Sequence, residues 1–225
     1  MKLSLIFSQL QSAELNNLSC VDPATKKVKP ERYADLIATI SAGLTDLHGR
    51  FLLKLGMVTF PLVSGQDVYN LNVIDKATKG NLLKIHAVKD NCGRELGLND
   101  FTERFSVFTT DTHTIHVPQH LMLQDKVSSL TVTYRKNHTP LVYDDSISDA
   151  DELDYINIEL DHAYLYALCL YVASRLHGPV GLQDSTHTIN AYVGMYNAEC
   201  NRLEEANLAL DYVATNTRAY RAGWP

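Results

Sequence analysis

The chain has 225 residues, 45% of them hydrophobic and 20% charged, which suits one domain or two small ones and excludes a long disordered protein. Twenty basic against 26 acidic side chains leave a formal net charge of −6, which argues against a surface that grips nucleic acid all over. No apolar run reaches the ~18–20 residues of a membrane-spanning helix, so no membrane partner is expected.

Met1 to Phe7 imitates a secretory leader, but Ser4 interrupts it and Ser8-Gln9 ends it, short of the roughly 7–15 apolar residues that export needs. Leu3, Ile6, Phe7 and Leu10 instead share one face of a short amphipathic helix. Asp22-Pro23 and the basic run Lys26-Lys27-Val28-Lys29 make a loop, read as solvated surface. Pro30-Glu31 suits a helix start, with proline in the first turn and a carboxylate at the positive dipole end. From there Tyr33, Leu36, Ile37, Ile40, Leu44, Leu47 and Phe51 recur at three- and four-residue steps.

After Phe51 the period changes to that of strands. Val58–Val63, Ser64-Gly65 and Gln66–Leu71 read as strand, turn, strand, and Leu82–Val88 as another strand closed by Asp90-Asn91-Cys92-Gly93. Phe105–Thr109 and Thr112–Val117 flank Thr110-Asp111 as a hairpin, and Leu130–Tyr134 ends the sheet. Asp144, Asp145, Asp149, Asp151, Glu152 and Asp154 then mark a solvated acidic linker. Helical period returns from Ile158 to Leu176, with Leu160, Ala163, Ala167, Leu168 and Tyr171 inward and His177-Gly178-Pro179 as its stop. A last helix is expected over about Thr188 to Leu210, its stripe being Ile189, Tyr192, Tyr196, Cys200, Leu203, Ala206 and Leu210.

The order helices, strands, helices implies an α+β protein: a helical bundle from the N- and C-terminal regions with an inserted antiparallel β sandwich or barrel-like domain. The expected boundaries are 1–53 with 155–212 for the bundle, 54–140 for the β domain, 141–154 for the linker and 213–225 for a C-terminal tail. Leu44, Leu47, Ala167, Leu168, Tyr196 and Leu203 are the expected bundle core.

The chemistry-bearing residues do not assemble into a motif, and the chain is expected to have no catalytic residues, metal or cofactor. Cys20, Cys92, Cys169 and Cys200 are scattered, as reduced thiols are, rather than paired for disulfides. His113 and His116 are three apart, which on a strand points them to opposite faces, and Pro118 separates His116 from His120. His162 and His177 are too far apart along a helix to share a ligand. Asp149-Ala150-Asp151 opens like a calcium loop, but the sixth position is not glycine and the twelfth, Leu160, is not glutamate. G-x-S-x-G, S-x-x-K and H-E-x-x-H do not occur, and Gly178-Pro179-Val180-Gly181 lacks the lysine of a phosphate loop.

The C-terminal stretch is the most informative. Tyr212, Arg218, Tyr220, Arg221 and Trp224 follow no helical or strand period that would bury them within their own segment. They either fold back on the domain or dock into a neighbour, and Tyr, Trp and Arg are the side chains that anchor interfaces.

Several segments resemble the head-to-tail adaptor proteins (connector or neck proteins) of tailed bacteriophages. They are Met1–Ile6, Glu14–Leu18, Pro30-Glu31-Arg32-Tyr33, Gly43-Leu44-Thr45-Asp46-Leu47-His48-Gly49-Arg50-Phe51, Ile158–Tyr166 and Val172-Ala173-Ser174-Arg175. The resemblance implies a structural virion protein at the head–tail junction, assembled in the host cytoplasm. It implies a ring, usually of about twelve copies, that binds the portal protein above and a tail or nozzle protein below. Genome DNA would pass through its lumen without specific binding, which the acidic composition suits. Another neck or tail-completion protein, and more remotely a cytosolic enzyme or ligand binder, stand as the alternatives.

Overall fold

The computed structural model describes residues 1–13, 15, 20–22, 24–123, 126–141, 150–177 and 183–206; for 150–152 and 183–190 it describes the backbone only. These form a mixed α+β protein. In chain order the elements are α1 (Leu3–Ser12), α2 (Tyr33–Arg50), β1 (Leu55–Pro61), β2 (Val68–Asn70), α3 (Leu71–Ile74), β3 (Leu82–Asp90) and β4 (Glu95–Leu98). There follow β5 (Ser106–Thr109), β6 (Thr114–His116), α4 (Gln119–Leu123), β7 (Ser129–Lys136), α5 (Leu165–Leu176) and α6 (Gln183–Glu205). The chain divides into two compact units, Met1–Phe51 with His138–Pro225, and Leu52–Asn137.

In the first unit α1 buries the four apolar residues that its spacing put on one face, Leu3, Ile6, Phe7 and Leu10. A 3₁₀ turn over Pro30–Arg32 leads into α2, which ends where Phe51 turns extended at φ −108°, ψ 149°. Gly43 of α2 lies so close to α5 that a Cβ there would sit 2.8 Å from Leu168 and 2.8 Å from the Tyr171 ring. The glycine therefore costs α2 some helix propensity and lets the two helices close. Tyr171 meets Tyr196 of α6 edge to face at 5.5 Å, and Phe51 meets Tyr164 at 5.0 Å. Leu44, Leu47, Ala167, Leu168, Tyr196 and Leu203 are all buried. His138, also buried, returns to α2, its Nε2 3.0 Å from the Ser41 carbonyl and its Nδ1 2.7 Å from that of Thr139.

The expected helix from Ile158 begins seven residues late, and the N-terminus is the reason. Leu3 N donates to the Ile156 carbonyl at 3.0 Å and Ile158 N to that of Met1 at 2.7 Å, holding 156–158 extended beside α1. Asp161 then starts the helical turn by accepting from Ala163 N at 3.0 Å. The end of the segment read as a solvated linker is folded too: Ala150–Tyr155 is a 3₁₀ helix, Leu153 is buried, and the Ser4 hydroxyl donates to the Asp154 carboxylate. Residues 142–149, the Gly178-Pro179 stop and Leu210 lie outside the described residues.

In the second unit the strands make one curled seven-stranded sheet in the order β1-β7-β3-β4-β5-β6-β2. Its inner face carries Val58, Phe60, Tyr69, Ile85, Val88, Val107, Ile115, Leu130, Val132 and Tyr134. Alternation puts the β1 and β7 residues inward, as period two demands, whereas Ile85 and Val88 of β3 are three apart and share the inner face because the register against β7 shifts between Ile85 and Ala87. The sheet is not wholly antiparallel as expected, because β4 and β5 pair in parallel through Gly97↔Ser106 and Leu98↔Val107. Asn99, at φ 57°, and the turn at Asp100 reverse the chain twice within seven residues, returning it beside β4 in the same direction. β4 itself is too short, and too interrupted by Gly97, to show a period. The expected strand Gln66–Leu71 is cut to β2 because the Asn70 side chain accepts from Asn72 N at 3.0 Å and turns the chain into α3.

Candidate docking surface

The loop joining β4 to β5 presents the most exposed large apolar side chain among the described residues. Asp100 accepts from Thr102 N at 2.8 Å and from its hydroxyl at 2.6 Å, while its own N–H donates to the Ser106 hydroxyl at 3.1 Å. That turn pushes Phe101 outward, 88% exposed, with its ring stacked at 4.7 Å and 29° on Phe108 of β5. The Asn99 side chain pins the base of the loop to β5: its Oδ1 accepts from Thr109 N at 2.8 Å and its Nδ2 donates to the Thr109 hydroxyl at 2.9 Å. A solvent-facing ring on a backbone held this firmly is ordered before any partner arrives, which lowers the entropy cost of docking on it.

Beside the stacked rings lies an open cavity of about 510 Å³, with Glu103, Arg104 and His120 on its rim. His120 Nε2 donates to the Arg104 carbonyl at 2.8 Å. Behind it the Arg94 guanidinium lies 3.9 Å over the Phe105 ring and forms an ion pair at 3.0 Å with buried Asp90. The arrangement is an apolar platform with a mixed-charge rim, the make-up of a protein-docking surface.

The same unit exposes a second feature, the outer strand β1. Its buried positions alternate, with Val58 and Phe60 inward and Leu55, Met57, Thr59 and Pro61 outward. Leu55 is half exposed and Met57 is 66% exposed. A Cβ on Gly56 would sit 2.3 Å from the Tyr134 ring, so the glycine is what lets that ring lie across the strand.

In the helical unit the polar contacts tie α2 to α6. The Tyr196 hydroxyl donates to the Asp46 carboxylate; Arg50 donates to Glu204 at 2.9 Å and to Asn201 at 2.9 Å. Burial, and then the Asp46 hydrogen bond, push the Tyr196 phenol far above its ordinary pKa, and burial raises the Cys200 thiol. These groups hold helices together and face no cavity among those described.

The residues singled out from the sequence fare unevenly. Tyr212, Arg218, Tyr220, Arg221 and Trp224 all lie outside the described residues. His113 sits in the turn ahead of β6 and not on the strand, its N–H donating to Asp111 at 2.7 Å; His116 is on β6, 3.4 Å from the Thr110 hydroxyl. The bonds from His113 N and Thr114 hold the Asp111 carboxyl below its usual range. Among the described residues no three His, Cys, Asp or Glu side chains gather as metal ligands would. Sequence reading missed Phe101; the available signal was an aromatic set between the turn formers Asn99-Asp100 and Thr102, where no period would bury it.

No protein-family model and no curated protein matches the chain.

Proposed function

We propose that the protein is a structural component of a tailed-phage virion, a ring-forming adaptor that joins the portal of the capsid to the tail. The sequence resemblance of the segments 1–6, 14–18, 30–33, 43–51, 158–166 and 172–175 motivates the reading. The structural observation that best supports it is Phe101 on its pinned turn, stacked on Phe108 and open to solvent. An exposed ring fixed on a half-buried one is the kind of aromatic anchor that an assembly protein buries in the next component.

In this reading the helices from both ends of the chain act as one bundle around the ring, and the inserted β domain faces a neighbouring component. The tail, with Tyr212, Arg218, Tyr220, Arg221 and Trp224, docks onto a second copy or the portal. The role needs no cofactor and no catalysis. A net charge of −6 supports a lumen that lets DNA slide, since like charge opposes sticking. The mass in solution tests the reading: a ring mass, alone or with portal, supports it, and a monomer in both conditions refutes it.

A further inference from the structure

The outer strand and the tail fit each other. Leu62 N donates to the Ser128 carbonyl and Lys136 N to that of Lys54, so the hydrogen-bonded rungs of β1 on β7 fall at even positions. Leu55, Met57 and Thr59 therefore turn their N–H and C=O groups away from β7, at the end of the sheet order where no further strand pairs among the described residues. Pro61 adds a carbonyl and, lacking an N–H, ends the row of donors. Proteins usually guard such an edge with lysine, a bulge or an early proline. The run Leu55-Gly56-Met57-Val58-Thr59-Phe60 contains no charge, and its exposed side chains stand beside the free groups. An edge left in this state is a template for another strand.

We infer that the strand which completes it is residues 212–220 of a neighbouring copy, added beside β1 as an eighth strand of the sheet that receives it. Tyr212-Val213-Ala214-Thr215-Asn216-Thr217-Arg218-Ala219-Tyr220 has no glycine or proline and is rich in strand formers. Val213, Thr215 and Thr217 share one face, so they match in kind the Leu55, Met57 and Thr59 row, which β7 continues with Thr131, 3.0 Å from Thr59 between hydroxyls. Nine extended residues span about 30 Å, more than the roughly 23 Å of seven-residue β1. The segment starts six residues after Ala206, the last residue described. A tail on one copy and an edge on the next form a head-to-tail contact, the kind that closes into a ring. The inference rests on the ring reading and supplies the contact that would hold it.

The test uses the full chain. Met57→Pro removes a donor from the free edge without touching a rung to β7, and Met57→Lys places a charge there. Both are expected to leave the thermal melt near that of the parent and to weaken self-association about tenfold or more, equivalent to about 1.4 kcal/mol. In a Cys92→Ser background, copies carrying Met57→Cys are mixed with copies carrying a cysteine scanned through 213–217, and diamide is the oxidant. A disulfide-linked pair of chains is the expected product. Linkage only when both cysteines share one chain, or unchanged assembly of the folded Met57 variants, overturns the inference while the parent's rings keep the ring reading intact. A parent that remains a monomer with and without portal overturns both.

Discussion

Replacing Tyr196 by phenylalanine probes the α2–α6 contact through its chemistry. At neutral pH the variant loses the hydrogen bond to Asp46, a carboxylate that is itself exposed and rehydrates. The expected cost is about 1 kcal/mol. Above pH ~10 the parent's advantage shrinks. The phenol's folded pKa is held well above its ordinary value by burial and by Asp46, so the unfolded chain gives up the proton first. Stability is then fully present below pH ~10 and falls with rising pH, by up to about 1.4 kcal/mol per unit for this one group. Tyr134 and Tyr164, also raised by burial, contribute the same slope to parent and variant and drop out of the difference. The parent's advantage should vanish near pH ~11, and the phenylalanine variant should be the more stable beyond it. Urea melts of both proteins from pH 7 to 11.5 read this directly. Parallel curves over the whole range would refute the buried, proton-holding Tyr196.

Other substitutions test the remaining contacts. Leu44→Ala or Leu203→Ala, each at a fully buried side chain, should cost about 2–5 kcal/mol in denaturant melts. Gly56→Ala sets a methyl against the Tyr134 ring and should cost about 1–3 kcal/mol, with a changed tyrosine near-UV signal. Phe101→Ala should leave the melt unchanged and weaken attachment to the next component of the assembly, measured by pull-down on portal-bearing capsids or on tails.

The elements with long, unambiguous periods were legible in advance. α2 buries all six of the residues its spacing selected within Tyr33–Arg50, and Phe51 just past its end is buried too, because a six-residue stripe over five turns allows one rotation only. Where short segments depend on distant partners, the pattern misled. Ile158 and Leu160 carry helical spacing yet lie outside any helix, because Met1 and Leu3 bond to 156–158 and Leu160 N turns back to the Ile158 carbonyl at 3.0 Å, and nothing local announces Met1 as a partner. The parallel β4–β5 pair was hidden for a similar reason: it follows from the backbone at Asn99 and the Asp100 turn rather than from alternation. Of the surface, Met57 fell just ahead of the expected strand Val58–Val63, and that the backbone edge of β1 pairs with no further strand among the described residues is a property of strand order, which no single strand encodes.

The ring is the central claim, and electron micrographs of the purified full-length protein mixed with a portal test it most directly. The account predicts annular particles stacked on the portal, carrying more than two copies of the chain. Bare portals beside free monomers, at concentrations well above those of assembly in the cell, would contradict it.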